Sequence, residues 1–226
     1  MNFYEQWKQA INNNNDVSKF YYEFLTYSDD SLKIFNNGNN GELVFTCTLL
    51  MNLPIESFID NIGHEEFYNA KDIFQYSNFD HAIIDICSNL MFSDTPLTFC
   101  QLGKLIVHAR RDGACIKYGE NHSKLAEAFS MVSLSKSKVV MVRITNFGKF
   151  SVYLSNLDKI EIIKRLAIRN SFIKTIIYNA KKGNANYMEL SQKSLSKSTA
   201  IRRKSNVKYV VNLILENSCL INNIVW

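Results

Sequence analysis

Residues 194–215 read SLSKSTAIRRKSNVKYVVNLIL: hydroxyls and cations first, then β-branched residues and leucine. At 3.6 residues per turn, Ala200, Val207, Val211 and Ile214 fall on one helical face. Ser198, Arg202, Ser205 and Asn206 fall opposite, with Arg203 and Lys204 flanking. The spacing predicts one helix over about 196–217 that holds its own domain by the apolar stripe and turns its amino-terminal end outward. A recognition helix enters the major groove by its first turns, so that end is polar and the remainder buried. Arg pairs bidentately with guanine O6 and N7, and Asn with adenine N6 and N7, which suits Arg202, Arg203 and Asn206. Lys197, Ser198 and Thr199 suit phosphate oxygens, helped by the unpaired N–H groups of the first turn. Ser194 and Ser196 also fit plain helix caps.

Working outward, residues 157–168 and 171–181 have amphipathic helical spacing, and YMELSQKS supplies a short helix and turn before the quoted stretch. LINNIVW closes the chain as a short strand. Helix, short helix, tight turn, helix, strand is the layout of a winged helix-turn-helix. It can be drawn twice, over 98–154 with a third helix at 121–131, and over 170–226 with the third helix at 196–217. In the first copy FCQLGKLIVHARR is a helix, with Leu102, Leu105, Ile106 and Ala109 at i, i+3, i+4 and i+7. DGACIKYGENHSKLAEAF is read as a short helix, a turn at Gly119, and a helix burying Leu125, Ala128, Phe129 and Val132. Its outward set is Asn121, His122, Ser123, Lys124 and Glu127, although Asn121 also fits an N-cap and His122 a loop filler. KVVMVRI (138–144) is a strand exposed on one side, with Lys136 and Lys138 before or on the wing, and Arg110 and Arg111 behind. ITNFGKF either turns that strand into a hairpin or uses Thr145 to cap a helix.

Charge divides the 226 residues sharply. Residues 1–100 hold 4 Lys+Arg against 14 Asp+Glu, and residues 101–226 hold 22 against 7. An acidic half followed by a basic half is expected where one end meets a polyanion. The alternative is that the halves dock on each other. SDTPLT (93–98), with one of only two prolines, marks the boundary and predicts an acidic domain over 1–96 and winged-helix units over 97–156 and 157–226. Within the acidic part, 3–11 and 17–26 read as helices, and NNGNNG (36–41) reads as a turn before a buried strand, GELVFTCTLL. IESFIDNIG, EEFYNAKDIFQY and FDHAIIDICSNLMF have helical spacing, with Phe67, Ala70, Ile73 and Phe74 on one face. The fold class expected is α+β and mostly helical: an acidic α/β domain, then two winged helix-turn-helix units.

YGENHSKLAEAF, ITNFGK, IKRLAIRNSFIKTII and STAIRRKSNVKYVVNLIL together resemble a module of bacterial restriction enzymes and phage-defence proteins. The resemblance spans about residues 97–220, and its most specific part is S-x-S-T-x-x-R-R-x-S-x-V from Ser196 to Val207. Where such modules often place Trp late in this helix, this chain has Val210, Val211 and Leu213. The resemblance implies paired winged helices that read duplex DNA, with other chemistry supplied by a separate domain.

Catalytic patterns are scarce. A nuclease centre would place a lone Asp and then D/E-x-K around a divalent metal. Glu42 opens a suitable segment but no lysine follows, and Glu66, Asp80 and Asp85 read as surface or partner contacts. E-I-I-K at 161–164 reads as an ion pair on a helix. His64, His81, His108 and His122 pair with no Ser or Cys, phosphate-loop order is missing, and the five cysteines lack zinc-ligand spacing. The expectation is no cofactor, with Mg²⁺ only if the chain is a nuclease. No opening apolar segment or run of about 18 apolar residues appears, so neither a secretory leader nor a membrane span is expected. Scattered, unpaired cysteines fit reduced thiols in a cytoplasm. The leading reading is a sequence-specific double-stranded DNA-binding protein, the recognition component of a restriction or defence system. Its acidic half would dock a protein partner or self-associate. The alternatives are a winged-helix transcriptional regulator and a metal-dependent restriction endonuclease.

Overall fold

The computed structural model describes residues 5, 9, 21, 24, 25, 29–64, 67–93, 95–107 and 111–226. The helices expected over 3–11 and 17–26 lie largely outside these residues. The first continuous elements are α1 (Asp29–Asn37) and α2 (Asn40–Asn52), followed by α3 (Ile55–Asp60). A π-helical turn, His81–Asp85, runs into α4 (Ile86–Met91). Then come β1 (Leu97–Thr98), α5 (Phe99–Val107), α6 (Asp112–Ala128), β2 (Val132–Leu134), β3 (Met141–Ile144) and α7 (Asn146–Ser151). The remainder is α8 (Asn156–Ile168), α9 (Ser171–Lys181), β4 (Ala185–Asn186), α10 (Tyr187–Gln192), α11 (Lys197–Ile214), a 3₁₀ turn (Cys219–Asn223) and β5 (Ile224–Val225). The class is α+β and mostly helical.

The chain forms two compact units. A central unit contains 29–49 and 75–160, and a carboxyl-terminal unit contains 50–74, 161–226 and the described residues among 1–28. The units do not part at residue 96: segments of the acidic half belong to each. In the central unit, β1, β3 and β2 lie in that order in an antiparallel sheet, with Leu97 opposite Val142 and Val132 opposite Ile144. Its core includes Phe79, Ile83, Ile86, Leu102, Leu125, Phe129, Val142 and Phe147. Phe35 meets Phe147 edge-on at 5.2 Å, as Phe79 meets Phe129 at 6.0 Å. In the carboxyl-terminal unit, β4 and β5 pair in parallel, with Ala185 opposite Ile224. Phe172 meets Tyr68 at 5.0 Å and Tyr187 at 6.0 Å in a core that α9 and α11 supply with Ile173, Ile176, Ile177, Val207, Val210 and Val211.

Several local expectations are corrected. GELVFTCTLL lies in helix α2, not in a strand. Asn39 and Glu42 explain its start: the Glu42 N–H donates to Asn39 Oδ1 at 3.0 Å and the Asn39 N–H to Glu42 Oε2 at 2.8 Å. This reciprocal cap satisfies donors that a hairpin would have placed in a ladder. Gly119 makes no turn; it lies inside α6. A Cβ there would stand 2.0 Å from the Phe99 carbonyl oxygen, and one at Gly103 would stand 2.0 Å from that of Cys115. The two glycines let α5 and α6 approach backbone to backbone, which is why a helix breaker by propensity is retained. EEFYNAKDIFQY is not helical in its described part, and Phe67 is 83% exposed. At Thr145 the capping alternative is the one adopted, its hydroxyl accepting the Gly148 N–H at 2.9 Å.

Candidate nucleic-acid interface

The quoted stretch forms α11, and the residues before it explain its angle. Asn186 caps α10 by accepting the Glu189 N–H at 3.2 Å. Tyr187, fully buried, donates its hydroxyl to the Ala200 carbonyl at 2.8 Å and so ties α10 to the second helix. The intervening turn closes through Leu195 N–H to the Ser191 carbonyl at 3.0 Å. Ser196 is the N-cap, accepting the Thr199 N–H at 3.4 Å. Ala200, Val207, Val210, Val211 and Ile214 face inward and are buried.

On the opposite face Lys197, Ser198, Arg202 and Ser205 are exposed, while Thr199, Lys204 and Asn206 are half-buried. Exposed Ile201, Lys208 and Tyr209 share the solvent side. Lys208 Nζ lies 5.8 Å from the Trp226 ring centroid. Arg203 departs from the expected pattern. It turns aside and donates through Nη1 to the carbonyls of Ala70 at 2.7 Å and Ile73 at 2.8 Å. Those two carbonyl bonds make this guanidinium structural, and burial and neighbouring Arg202 lower its pKa. Tyr68 completes the attachment: its hydroxyl donates to the Leu190 carbonyl at 2.6 Å, and its carbonyl accepts Ser194 Oγ at 3.3 Å. Segment 68–73 is thus fastened along the α10–turn–α11 unit. Helical spacing in the sequence hid this role, because a strap that turns at 70–72 and is bonded largely through its carbonyls leaves little side-chain pattern.

The other expected face behaves differently. On α6, His122 is 1% exposed and Ser123 is fully buried, so the outward assignment of these two is corrected. The N–H groups of Ser77 and Asn78 donate to His122 Nε2 at 3.4 and 3.3 Å, and Nδ1 donates to the Tyr118 carbonyl at 2.8 Å. Two incoming donors require the Nδ1–H tautomer. Its ring stacks on Tyr118 with centroids 4.0 Å apart, and burial holds its pKa below the usual range. Asn121 is half-buried. Lys124 is exposed but bonded to Glu120, and the Glu127 carboxylate accepts the Leu134 N–H at 3.1 Å. Lys136 and Lys138 are exposed in the loop joining β2 to β3. Arg111 is exposed, while Arg110 and His108 lie outside the described residues.

Much of the basic half's charge serves the carboxyl-terminal unit internally. Lys181 caps α3, reaching the carbonyls of Ile59, Asp60 and Ile62 at 3.1, 2.8 and 3.3 Å. Arg165 donates to the Leu53 carbonyl at 2.8 Å and pairs with Glu161 at 2.9 Å, and Lys174 donates to the Leu25 carbonyl at 3.0 Å. Glu161 and Lys164 form the expected helical ion pair at 2.7 Å. Cations that satisfy carbonyls are not available to phosphates, so net charge overstates the basic surface.

Among the described residues, no three His, Cys, Asp or Glu side chains are gathered as for a metal ion. Cys47, Cys87 and Cys115 are buried, and burial pushes the Cys47 thiol up to about 12 and Cys87 to about 11. No described helix is long and apolar enough to cross a membrane. Comparison with protein-family models, with curated proteins and with solved structures gives no match for this chain.

Proposed function

We propose that the protein binds double-stranded DNA through the amino-terminal turns of α11. The observation that carries this reading is the division of one capped helix. Lys197, Ser198, Arg202 and Ser205 stand in solvent at its leading end, while Ala200, Val207, Val210 and Val211 anchor it. Leading cations and hydroxyls beside unpaired N–H groups match phosphate, and Arg202 matches a guanine edge. We read α9–β4–α10–α11–β5 as one winged-helix unit and the run from the π-turn through α4, β1, α5, α6, β2 and β3 as another. In the second, the sheet order β1-β3-β2 supports the reading, and the loop bearing Lys136 and Lys138 is the wing. A role as the recognition component of a restriction or defence system rests on the resemblance of Ser196–Val207, and co-purification with a larger catalytic or motor protein tests it.

Selection of bound duplexes from a random pool, with and without Mg²⁺, tests the central claim. A single enriched site and no cleavage is the expected outcome. Neutralising about six phosphates gives a slope of log K against log salt near about −5. A flat salt response refutes duplex binding.

A further inference from the structure

Ile201 stands in the second turn of α11, after the Ser196 cap, and is 57% exposed. The positions three and four away on either side are Lys197, Ser198, Lys204 and Ser205, so no apolar neighbour on the helix covers it. Single exposed apolar side chains are ordinary on protein surfaces, and it is the company of this one that sets it apart. Over its 18 residues α11 carries five cations, Lys197, Arg202, Arg203, Lys204 and Lys208, and no carboxylate. Among the exposed residues of that helix, Ile201 is the one aliphatic side chain. The fold gains little from it, because a β-branched residue is a weaker helix former than Leu, Lys or Glu and this one is not buried.

Its place on the helix matters as much. Ser198 and Ser205 lie most nearly opposite the buried stripe of Ala200, Val207, Val211 and Ile214, with Ile201 to one side of that row and Arg202 to the other. Successive helical residues rise about 1.5 Å, less than the roughly 3.4 Å step between base pairs. A helix that sets Arg202 on one base edge therefore sets Ile201 over the same base pair or the next. In the major groove the base edges present donors and acceptors, and the apolar exception is the C5 methyl group of thymine. Over a donor or acceptor, isoleucine leaves that group without a partner and costs affinity. Over a methyl group it buries carbon against carbon. One strongly preferred χ1 rotamer in a helix makes the side chain a preformed surface for that contact.

We propose that Ile201 packs against the 5-methyl group of a pyrimidine, thymine or 5-methylcytosine, within one base-pair step of the guanine that Arg202 meets. The inference rests on reading α11 as a recognition helix. It makes Ile201 a specificity determinant on a face whose cations supply affinity.

The test uses the full chain and the duplex enriched from a random pool. Each thymine is replaced in turn by deoxyuridine, and each cytosine by 5-methyldeoxycytidine, changes that remove or add the methyl group alone. At one position, loss of the thymine methyl should weaken binding about three- to fivefold, the worth of one buried methyl group; if the source is methylated cytosine, methylation at one position should strengthen it as much. Ile201→Ala should abolish that difference without lowering the melting temperature, and Ile201→Val should retain it. An enriched duplex on which no pyrimidine methyl matters would overturn the inference and leave DNA binding standing. So would a methyl effect that persists in Ile201→Ala, or one that disappears in Arg202→Ala alone, which would give the methyl group to the guanidinium. Enrichment of no duplex would remove the recognition-helix reading and this inference with it.

Discussion

The two long helices, α6 in the central unit and α11 in the carboxyl-terminal unit, occupy the same place in two similar runs. Each follows a helix, a two-residue strand and a second helix. Their polar residues are nevertheless used in opposite directions. On α11 the leading cations and hydroxyls stay in solvent. On α6 the corresponding histidine and serine are buried, and the glycines that looked like punctuation are contact points. Polarity shows that a residue needs a partner; it does not say whether the partner is a ligand or a neighbouring backbone amide.

The largest expected effect probes the buried side of α6. Gly119→Val should cost about 3 kcal/mol or more in urea denaturation, because its Cβ meets the Phe99 carbonyl at 2.0 Å. Gly113→Ala, with nothing within 4 Å, should change stability by less than about 1 kcal/mol. Equal effects would mean that α5 and α6 do not touch.

Adjacent arginines sharpen the contrast on α11. Arg203→Ala should lower stability by about 2 kcal/mol through loss of its two carbonyl contacts, with faster hydrogen exchange over 70–76. Arg202→Ala should leave the melt unchanged, cost about 1–3 kcal/mol of duplex affinity and relax preference at one base. Lys197→Ala should weaken all duplexes alike. If both arginine variants lost affinity evenly on every sequence without a change in melting, the division of roles would fail.

A pH series tests the inward histidine. Burial holds the folded-state His122 pKa below its unfolded value of about 6.5, so just under that pH the unfolded chain binds more protons. Stability should be full at neutrality and fall as pH drops through that window, by at most about 1.4 kcal/mol per unit. His81 lies beside Tyr118 and 3.6 Å from Asp85, so the comparison is with His122→Gln, which should flatten only the His122 part. Parallel curves for the two proteins would remove His122 from this role.

The smallest effects concern α6 alone. Ser123 Oγ is buried without a hydrogen-bond partner, so Ser123→Ala should be neutral or slightly stabilising and leave DNA affinity unchanged. Ser130, at φ 57°, ends the helix in the left-handed region, so Ser130→Gly should gain up to about 1 kcal/mol. A loss in either, read by thermal melting, would point to a contact that the packing does not explain.

Legibility in the sequence followed the range of the interaction. Helices α8, α9 and α11 were readable to within a few residues, since an amphipathic stripe and a Ser or Asn cap are local signals. Ala200, Val207, Val211 and Ile214 were read correctly as the buried face. The strand assigned to GELVFTCTLL failed because an apolar run without clear period does not distinguish strand from buried helix, and the Asn39–Glu42 cap was decisive. Phe67 was misplaced because helical spacing in EEFYNAK was taken as packing. The strap it belongs to is held by Tyr68, Ser194 and Arg203, through partners more than 120 residues away in the chain.

By itself the sequence determined a mostly helical chain, an acidic half before a basic one, and a terminal helix greasy behind and cationic in front. Periodicity and capping act within a few residues and survive in the primary structure. Only the tertiary structure decided which cations are spent on carbonyls, that His122 and Ser123 face inward, and that Gly119 is a contact instead of a turn. Those outcomes depend on which distant backbone groups arrive unsatisfied beside each side chain, and that is set by packing.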